Sequence, residues 1–322
     1  MKAAYVEKFS PDSPLDELLL GERPDPVARP GWKTVTVRAS ALNGHDLWAL
    51  RGVGLNADSL PRILGSDAAG IDEDGNEVVV YPLIAAEGSL PHRGIEPITD
   101  PLLSEKHEGT LARLLTVPAA NLVPKPSGMS FEQAAGLPTA WLTAYRMLFT
   151  LSGAQPGDVV LVQGATGGVA SALLTLGSAA GITMWATART PSKRVLALQF
   201  GAKRVFEPGE RLPHRIPAVM ETVGTATWDH SMKVLRPGGT IVVAGATAGH
   251  LPPLELRRVF SLGLRIIGAR MGTLDEFEKL ISLCASAGLA PHVDSVHSLD
   301  DVHHAFRRLE SGQVVGKIVV QP

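Results

Sequence analysis

The chain has 322 residues, 45% of them hydrophobic and 19% charged, with a formal net charge of −2. That length suggests about two packed domains, and the interspersed charges leave no basic face for nucleic acid and no basic amphipathic stripe for a membrane surface. The opening MKAAYVEKFS lacks the apolar core of a signal peptide and no window is apolar enough to span a bilayer, so the cytoplasm is the expected location.

Short β-like runs come first: KAAYVEKF, KTVTVRA, NEVVVYP and LARLLTV, separated by turn residues. Between the last two, Pro82 to Gly109 shows no periodicity and is expected to form a long surface loop. Near Pro124 the texture changes to alternating strands and helices. Strands are predicted at VVLVQ, ITMWATA, RVFE, AVMETV, GTIVVAGA and LRIIGAR, which argues for a parallel sheet covered on both faces. The single cysteine, Cys284 in EFEKLISLCASAG, can form no internal disulfide and reads as a buried helix residue. From about Pro291 a helix and a final strand close the chain in HSLDDVHHAFRRLESGQVVGKIVVQP. The expected division is therefore 1–124 with 290–322, and 125–289.

The chemistry starts in VVLVQGATGGVASALL. Gly164, Ala165, Thr166, Gly167, Gly168 and Val169 form a nearly bare backbone where a helix is predicted to open. Unpaired N–H groups and the positive end of the helix dipole attract an anion there. A strand, a glycine turn and a helix are the first unit of a dinucleotide-binding fold, with Ala170 an accepted variant of its last glycine. A tight turn packed for its own sake is the alternative. The next strand, ITMWATA, ends where an NAD enzyme would place an acid against the ribose 2′-hydroxyl, and ARTPSKR stands there instead. Arg189 offers a planar fork for a phosphate, and Lys193 and Arg194 follow on a short helix begun by Thr190 and Pro191. NADPH is thus expected over NADH, with Arg189 the main contact and Lys193 the second; the alternative is that these cations coat a solvated helix start. Three more turns follow predicted strands: ETVG with Val223 and Gly224, AGAT with Gly245, Ala246 and Thr247, and ARMG with Arg270, Met271 and Gly272. In an open parallel sheet ligands bind beyond the carboxyl ends of the strands, so these turns are expected to border the cofactor unless they are plain strand-to-helix turns.

ALNGHDLWALRG, LPRILGSDAAG, VPAANLVPKP, AAGLPTAWLTAYRML, PGDVVLVQGATGGVA, LRPGGTIVVAGAT and VVGKIVV occur in this order along nearly the whole chain. In these segments the sequence resembles the medium-chain dehydrogenase/reductase superfamily, and within it the zinc-independent quinone oxidoreductase branch. The resemblance implies an α/β architecture in which a Rossmann doubly wound parallel sheet is inserted into a GroES-like β-rich catalytic domain. It also implies a homodimer paired through the edge strand LRIIGAR. Zinc-dependent members carry a cysteine at the place of Asn43, Gly-His-Glu at the place of Gly65-Ser66-Asp67 and a four-cysteine lobe within Pro82 to Gly109, and this chain has none of them. His45, Asp46 and Asp67 would be a makeshift donor set, so no residue is assigned to a metal.

Without a Lewis acid the acceptor must bring its own activation, as quinones and α,β-unsaturated carbonyls do. The expected partner is such a small hydrophobic electrophile. The resemblance places Asn43 and Asp46 against the nicotinamide. Asn43 is expected to donate its amide to the acceptor oxygen, or else to cap a turn beside Gly44; Asp46 is either catalytic or the cap of a helix beginning at about Leu47. His45 has a pKa suited to proton delivery, with a plain surface role as the alternative. Thr139 and Thr143 resemble positions that meet nicotinamide and phosphate, or are helix hydroxyls bonded to their own backbone. Lys317 resembles a residue near the nicotinamide end, or is a solvated lysine beside a strand. The function expected from the sequence is zinc-independent NADPH:quinone reduction. The alternatives are an NADPH-dependent double-bond reductase acting on enals, enones or an acyl-CoA, and a weakly catalytic NADPH-binding sensor or structural protein.

Overall fold

The computed structural model describes residues 1–27, 29–85 and 98–322. They form two compact units, Met1–Ala140 with Thr273–Pro322, and Trp141–Gly272.

The second unit is built on a six-stranded parallel sheet. Its strands lie in the order Arg204–Phe206, Thr183–Thr187, Val159–Val162, Ile216–Glu221, Leu235–Val243 and Arg265–Gly268. The order runs outward in both directions from the strand met first in the chain, Val159–Val162, which is the doubly wound Rossmann arrangement. A sheet covered on both faces needs continuous apolar strands. Val160, Leu161 and Val162 are accordingly buried without interruption, as are Ala218, Val219 and Met220. Helices Gly168–Ala179, Pro191–Gln199, Thr225–Val234 and Leu256–Leu262 alternate with these strands.

The first unit holds a seven-stranded sheet centred on Trp32–Ala41. Asp67–Asp72, Leu114–Pro118 and Lys317–Gln321 pair with that strand antiparallel. Glu77–Val80 and Leu122–Pro124 extend the sheet on one side, and Val293–Ser298 on the other. Both ends of the sequence meet in one sheet, where Val319 stands opposite Ala41 and Val320 opposite Ser40. A three-stranded sheet of Leu19–Glu22, Lys2–Val6 and Arg62–Ile63 packs into the same unit. The core between them gathers Leu42, Leu50, Leu64, Phe306, Ile318 and Val320, all nearly inaccessible. This is the β-rich domain into which the Rossmann sheet is inserted.

The units divide at Ala140/Trp141 and Gly272/Thr273, not near Pro124 and Pro291 where the texture changes. Two helices account for the difference. Phe131–Ala135 packs on strands Trp32–Ala41 and Asp67–Asp72, and Leu274–Ala287 brings Phe277 to 6.0 Å from the Tyr81 ring. Helical periodicity shows that a segment is a helix but not which sheet it covers. The expected surface loop from Pro82 to Gly109 is also corrected at its described ends. Leu83 and Leu102 form an isolated antiparallel bridge, and Leu83, Ile84, Leu102 and Leu103 are buried; residues 86–97 of that expectation lie outside the described residues. Two short apolar clusters that pair with each other leave no periodicity to read. Cys284 is buried in its helix and burial pushes its thiol up to about 12, which makes it inert at neutral pH. Among the described residues no helix is long and apolar enough to cross a membrane.

Candidate active site

In the second unit the glycine segment turns out of the strand Val159–Val162 at Gly164, whose φ of 77° lies in the left-handed region that favours glycine. The Gly164 N–H donates to Thr187 Oγ1 at 3.1 Å, so the turn is tied to the neighbouring strand. Helix Gly168–Ala179 then opens with Gly167 as its cap residue, with no capping side chain and no acid in the first turn. The space a Cβ would occupy at Gly167 has nothing within 4 Å. The first-turn N–H groups therefore face an open cradle with a positive helix end, suited to a pyrophosphate.

The neighbouring loops are anchored from beneath by buried polar side chains. Glu221, fully buried, accepts from the Val223 and Gly224 N–H groups at 2.9 and 3.0 Å, from Thr227 Oγ1 at 2.8 Å and from Ser231 Oγ at 2.6 Å. Gly224 has φ of 92°, and a Cβ there would stand 2.1 Å from the Gly249 carbonyl oxygen. No other residue fits that turn without moving the backbone. Ala248 N–H donates to the Val223 carbonyl at 2.7 Å, which locks the AGAT turn onto the ETVG turn. Met271 in the ARMG turn is in the left-handed region with φ of 55°, and Thr143 Oγ1 lies 3.9 Å from its sulfur. A buried methionine in that conformation is the kind of backbone strain that collects at functional loops.

Beyond the strand Thr183–Thr187, Thr190 caps the helix Pro191–Gln199 by accepting from the Lys193 N–H at 3.3 Å. The first turn has no acidic residue, contrary to the preference of helix N-termini. Arg189 is exposed, while Arg194 turns away to Glu207 at 3.0 Å. Burial lowers the Lys193 pKa, and the nearby Arg189 charge lowers it further. Two cations held beside each other with no acid in the first helical turn favour a dianionic ligand, whose charge would restore the lysine.

In the first unit the chain buries a polar network around a lysine. Lys317 begins a strand, is 2% exposed, and donates from Nζ to Asn43 Oδ1 and, at 3.2 Å, to Asp67 Oδ2. The Asn43 amide nitrogen donates to Asp67 Oδ2 at 2.9 Å, with Ala41 O and Ser66 Oγ each at 3.3 Å. Thr139 Oγ1, half-buried in a wide π-type turn, donates to Asp67 Oδ1 and lies 3.3 Å from Ser66 Oγ. Asp46 accepts from the Asn43 N–H at 2.7 Å and from the Gly65 N–H at 3.2 Å. Desolvation raises its pKa to about 7, and the neighbouring Asp67 charge adds to that, while the Asn43 N–H pulls the other way. His45 lies outside this network, its Nε2 3.6 Å from Glu105.

Residues 201–320 match a family described as zinc-binding dehydrogenase. A crotonyl-CoA reductase of Streptomyces avermitilis is 27% identical over 96% of this chain and 83% of its own length. An acryloyl-coenzyme A reductase of Sulfurisphaera tokodaii is 28% identical over 94% and 96%. A crystal structure of an NAD-dependent alcohol dehydrogenase superposes with a TM-score of 0.90 at 28% identity, over the whole of both chains. Over nearly its whole length the chain is thus similar to dehydrogenases and reductases of one superfamily. Like the enzymes it matches, the protein is an oxidoreductase.

The structure brings the predicted residues together in two groups. Gly164 to Val169, Arg189, Lys193, Val223, Gly224, Gly245 to Thr247 and Arg270 to Gly272 all belong to the Rossmann unit. Asn43, Asp46, Thr139 and Lys317 all belong to the β-rich unit, inside one network. Two roles change. The Asn43 amide hydrogens already have protein acceptors, so this side chain holds Asp67 in place instead of reaching outward. The Asp46 carboxylate sits on two backbone N–H groups at the start of helix Gly44–Leu50, which makes it a cap and a positioning residue. Lys317 is a buried network member and not a solvated lysine. Sequence reasoning missed the anchors Gln163, Glu221, His230 and Ser231. Gln163 accepts from Thr187 Oγ1 at 2.8 Å and bridges His230 Nδ1 and Ser231 Oγ at 3.0 and 2.9 Å. The signal was there, since a glutamine closing the apolar run VVLV must find partners if it is buried.

Proposed function

We propose that the protein is a zinc-independent, NADPH-dependent reductase of a carbon–carbon double bond conjugated to a carbonyl, such as an enoyl thioester. The observation that carries this reading is the buried Lys317–Asp67–Asn43 set. A catalytic zinc in this superfamily would need lone pairs from thiolate, imidazole or carboxylate. The place where such ligands would stand offers an amide, a hydroxyl and one carboxylate, and the Lys317 ammonium already sits on the amide and carboxylate oxygens. This donor set does not fit zinc. An ordinary ketone would then lack several kcal/mol of oxyanion stabilisation, whereas a conjugated acceptor spreads the incoming charge itself. The relatives named as crotonyl-CoA and acryloyl-CoA reductases support the double-bond substrate over the quinone that the sequence suggests.

The Rossmann unit fits NADPH. The bare first turn after Gly167 would take the pyrophosphate, and Arg189 with Lys193 the 2′-phosphate. When bound, the nicotinamide supplies a hydride. The chain's own share is positioning and electrostatics: Asn43, Asp46 and Asp67 hold the Lys317 ammonium and the Thr139 hydroxyl in set places, so the polar groups of the β-rich unit need no reorganisation as charge develops on the acceptor oxygen. A homodimer is part of this proposal. The strand Arg265–Gly268 is an edge strand with Ile266 partly exposed, and the preceding helix exposes Leu256 and Phe260. An open edge beside exposed apolar side chains suits pairing with a second copy.

The test is NADPH oxidation with crotonyl-CoA, a simple enone, benzoquinone and phenanthrenequinone, each with and without EDTA. The highest kcat/KM is expected for crotonyl-CoA or the enone, unchanged by chelation. A quinone as best substrate would restore the quinone reading, activity lost to EDTA would remove the zinc-independent one, and no oxidation with any acceptor would leave a non-catalytic NADPH-binding protein.

A further inference from the structure

Away from this network, three side chains of the β-rich unit converge where the strand Val293–Ser298 passes into the helix Val302–Glu310. His297 comes from the strand, Asp301 from the turn that caps the helix, and His304 from the helix's first turn. Asp301 Oδ2 is 3.0 Å from His297 Nδ1 and 3.4 Å from His304 Nδ1. In a tetrahedral zinc site with bond lengths of about 2.0–2.1 Å, neighbouring donor atoms stand about 3.3–3.4 Å apart. The Asp301–His304 distance matches such an edge, and the Asp301–His297 distance is a few tenths of an ångström shorter, at hydrogen-bond length. The third, between the two histidine nitrogens, is within 4.8 Å and closes by rotation of the exposed His304 ring.

A second observation concerns which His297 nitrogen carries a proton. Ser295 Oγ donates to Asp294 Oδ2 at 3.1 Å, and Asp294 is held by the Arg308 guanidinium. With its own hydrogen used, Ser295 Oγ can only accept from His297 Nε2, 3.0 Å away. That bond places the proton of a neutral imidazole on Nε2 and turns the Nδ1 lone pair toward the Asp301 carboxylate. Two acceptors facing each other at this distance need a cation between them, either a proton or a metal. A donor ring fixed through its far nitrogen by a hydroxyl and a carboxylate is the usual outer shell of a metal-binding histidine.

We propose that His297, Asp301 and His304 form a divalent metal site for zinc or a similar borderline cation, with water completing the coordination. The site is separate from the reductase chemistry, since none of the three belongs to the Lys317 network. A metal there would clamp the strand Val293–Ser298 to the helix Val302–Glu310.

The test is calorimetric titration of the full-length protein, freed of metal by chelation, with Zn2+, and an optical titration with Co2+. Saturation at one equivalent is expected, with the visible absorption of four-coordinate Co2+. His304→Ala, an exposed position, should weaken Zn2+ binding by more than about tenfold, and Ser295→Ala by about 10–100-fold through loss of ring orientation. Neither should change NADPH oxidation. No saturable uptake by the wild type, or unchanged affinity in His304→Ala, would overturn the proposal; the latter would mean that the metal sits elsewhere.

Discussion

Replacing Lys317 by methionine would remove the only cation within hydrogen-bonding reach of Asp67 among the described residues. Both groups are almost completely inaccessible, 2% and 0% exposed, so water cannot take the ammonium's place. Breaking a buried pair by deleting one partner costs about 3–5 kcal/mol, because the remaining charge stays buried without compensation. The Asn43 carbonyl oxygen would lose its donor too, and an unsatisfied buried acceptor adds about 1–3 kcal/mol. The β-rich unit should then open locally by two to nearly four orders of magnitude more often, taking the pair term alone at about 1.4 kcal/mol per decade. Hydrogen exchange read on peptides covering Trp32–Ala41 and Lys317–Gln321 measures this directly, without assuming that the two units unfold together. Lys317→Met with Asp67→Asn should recover much of the protection, since no net charge is then left behind. If the single variant exchanged less than about fivefold faster than wild type, or if the double variant were the worse of the two, the pair would not be a buried, mutually dependent charge couple.

Arg189→Ala should weaken NADPH by roughly one to two orders of magnitude, from about 1.5–3 kcal/mol of one charge-assisted bond, and leave NADH unchanged; calorimetry with both cofactors checks this, and equal losses would contradict it. Asp46 holds its proton in the folded state up to about pH 7, against an ordinary value of 3.8. The unfolded chain releases that proton first, so this group's contribution falls as pH rises from about 4 to about 7, by on the order of 4 kcal/mol in total. Denaturant unfolding across that window should show a shallower pH slope in Asp46→Asn, and identical slopes would argue against a buried neutral carboxyl. The wild type should have a dimer mass in light scattering at micromolar concentration, and Phe260→Glu with Ile266→Lys should reduce it to a monomer; a monomeric wild type would exclude the edge-strand interface.

The Rossmann unit was readable because its signals are local. A glycine turn, a capped helix and unbroken apolar strands each occupy a few neighbouring residues, and VVLVQGATGGVASALL and ARTPSKR led directly to the cradle and the cation pair. The β-rich unit was harder because its pairings are long-range. Asn43 could be read as an exposed donor only while Lys317 and Asp67 were unknown neighbours, and nothing local in VGKIVV shows that its lysine points inward. The same holds for Glu221, which looks from ETVG like a lining residue and is the buried anchor of the turn. Helices Phe131–Ala135 and Leu274–Ala287 were legible as helices, yet their allegiance to the β-rich unit depends on which sheet covers them.

The two partners that close the polar network, Lys317 and Asn43, are separated by 274 residues of sequence. During synthesis, every residue of the Rossmann unit leaves the ribosome before the lysine does. Until then Asp67 lacks its counter-charge and Asn43 Oδ1 lacks the lysine donor, and the strand Trp32–Ala41 lacks its neighbour Lys317–Gln321. A nascent chain whose Rossmann unit is already complete would still be unable to close this network, so its assembly should come late in biogenesis. A metal ion can be loaded at any time after its ligands are made, but a lysine that sits in the last strand of the β-rich unit, beyond the whole Rossmann unit, acts as a timer written into the order of the gene.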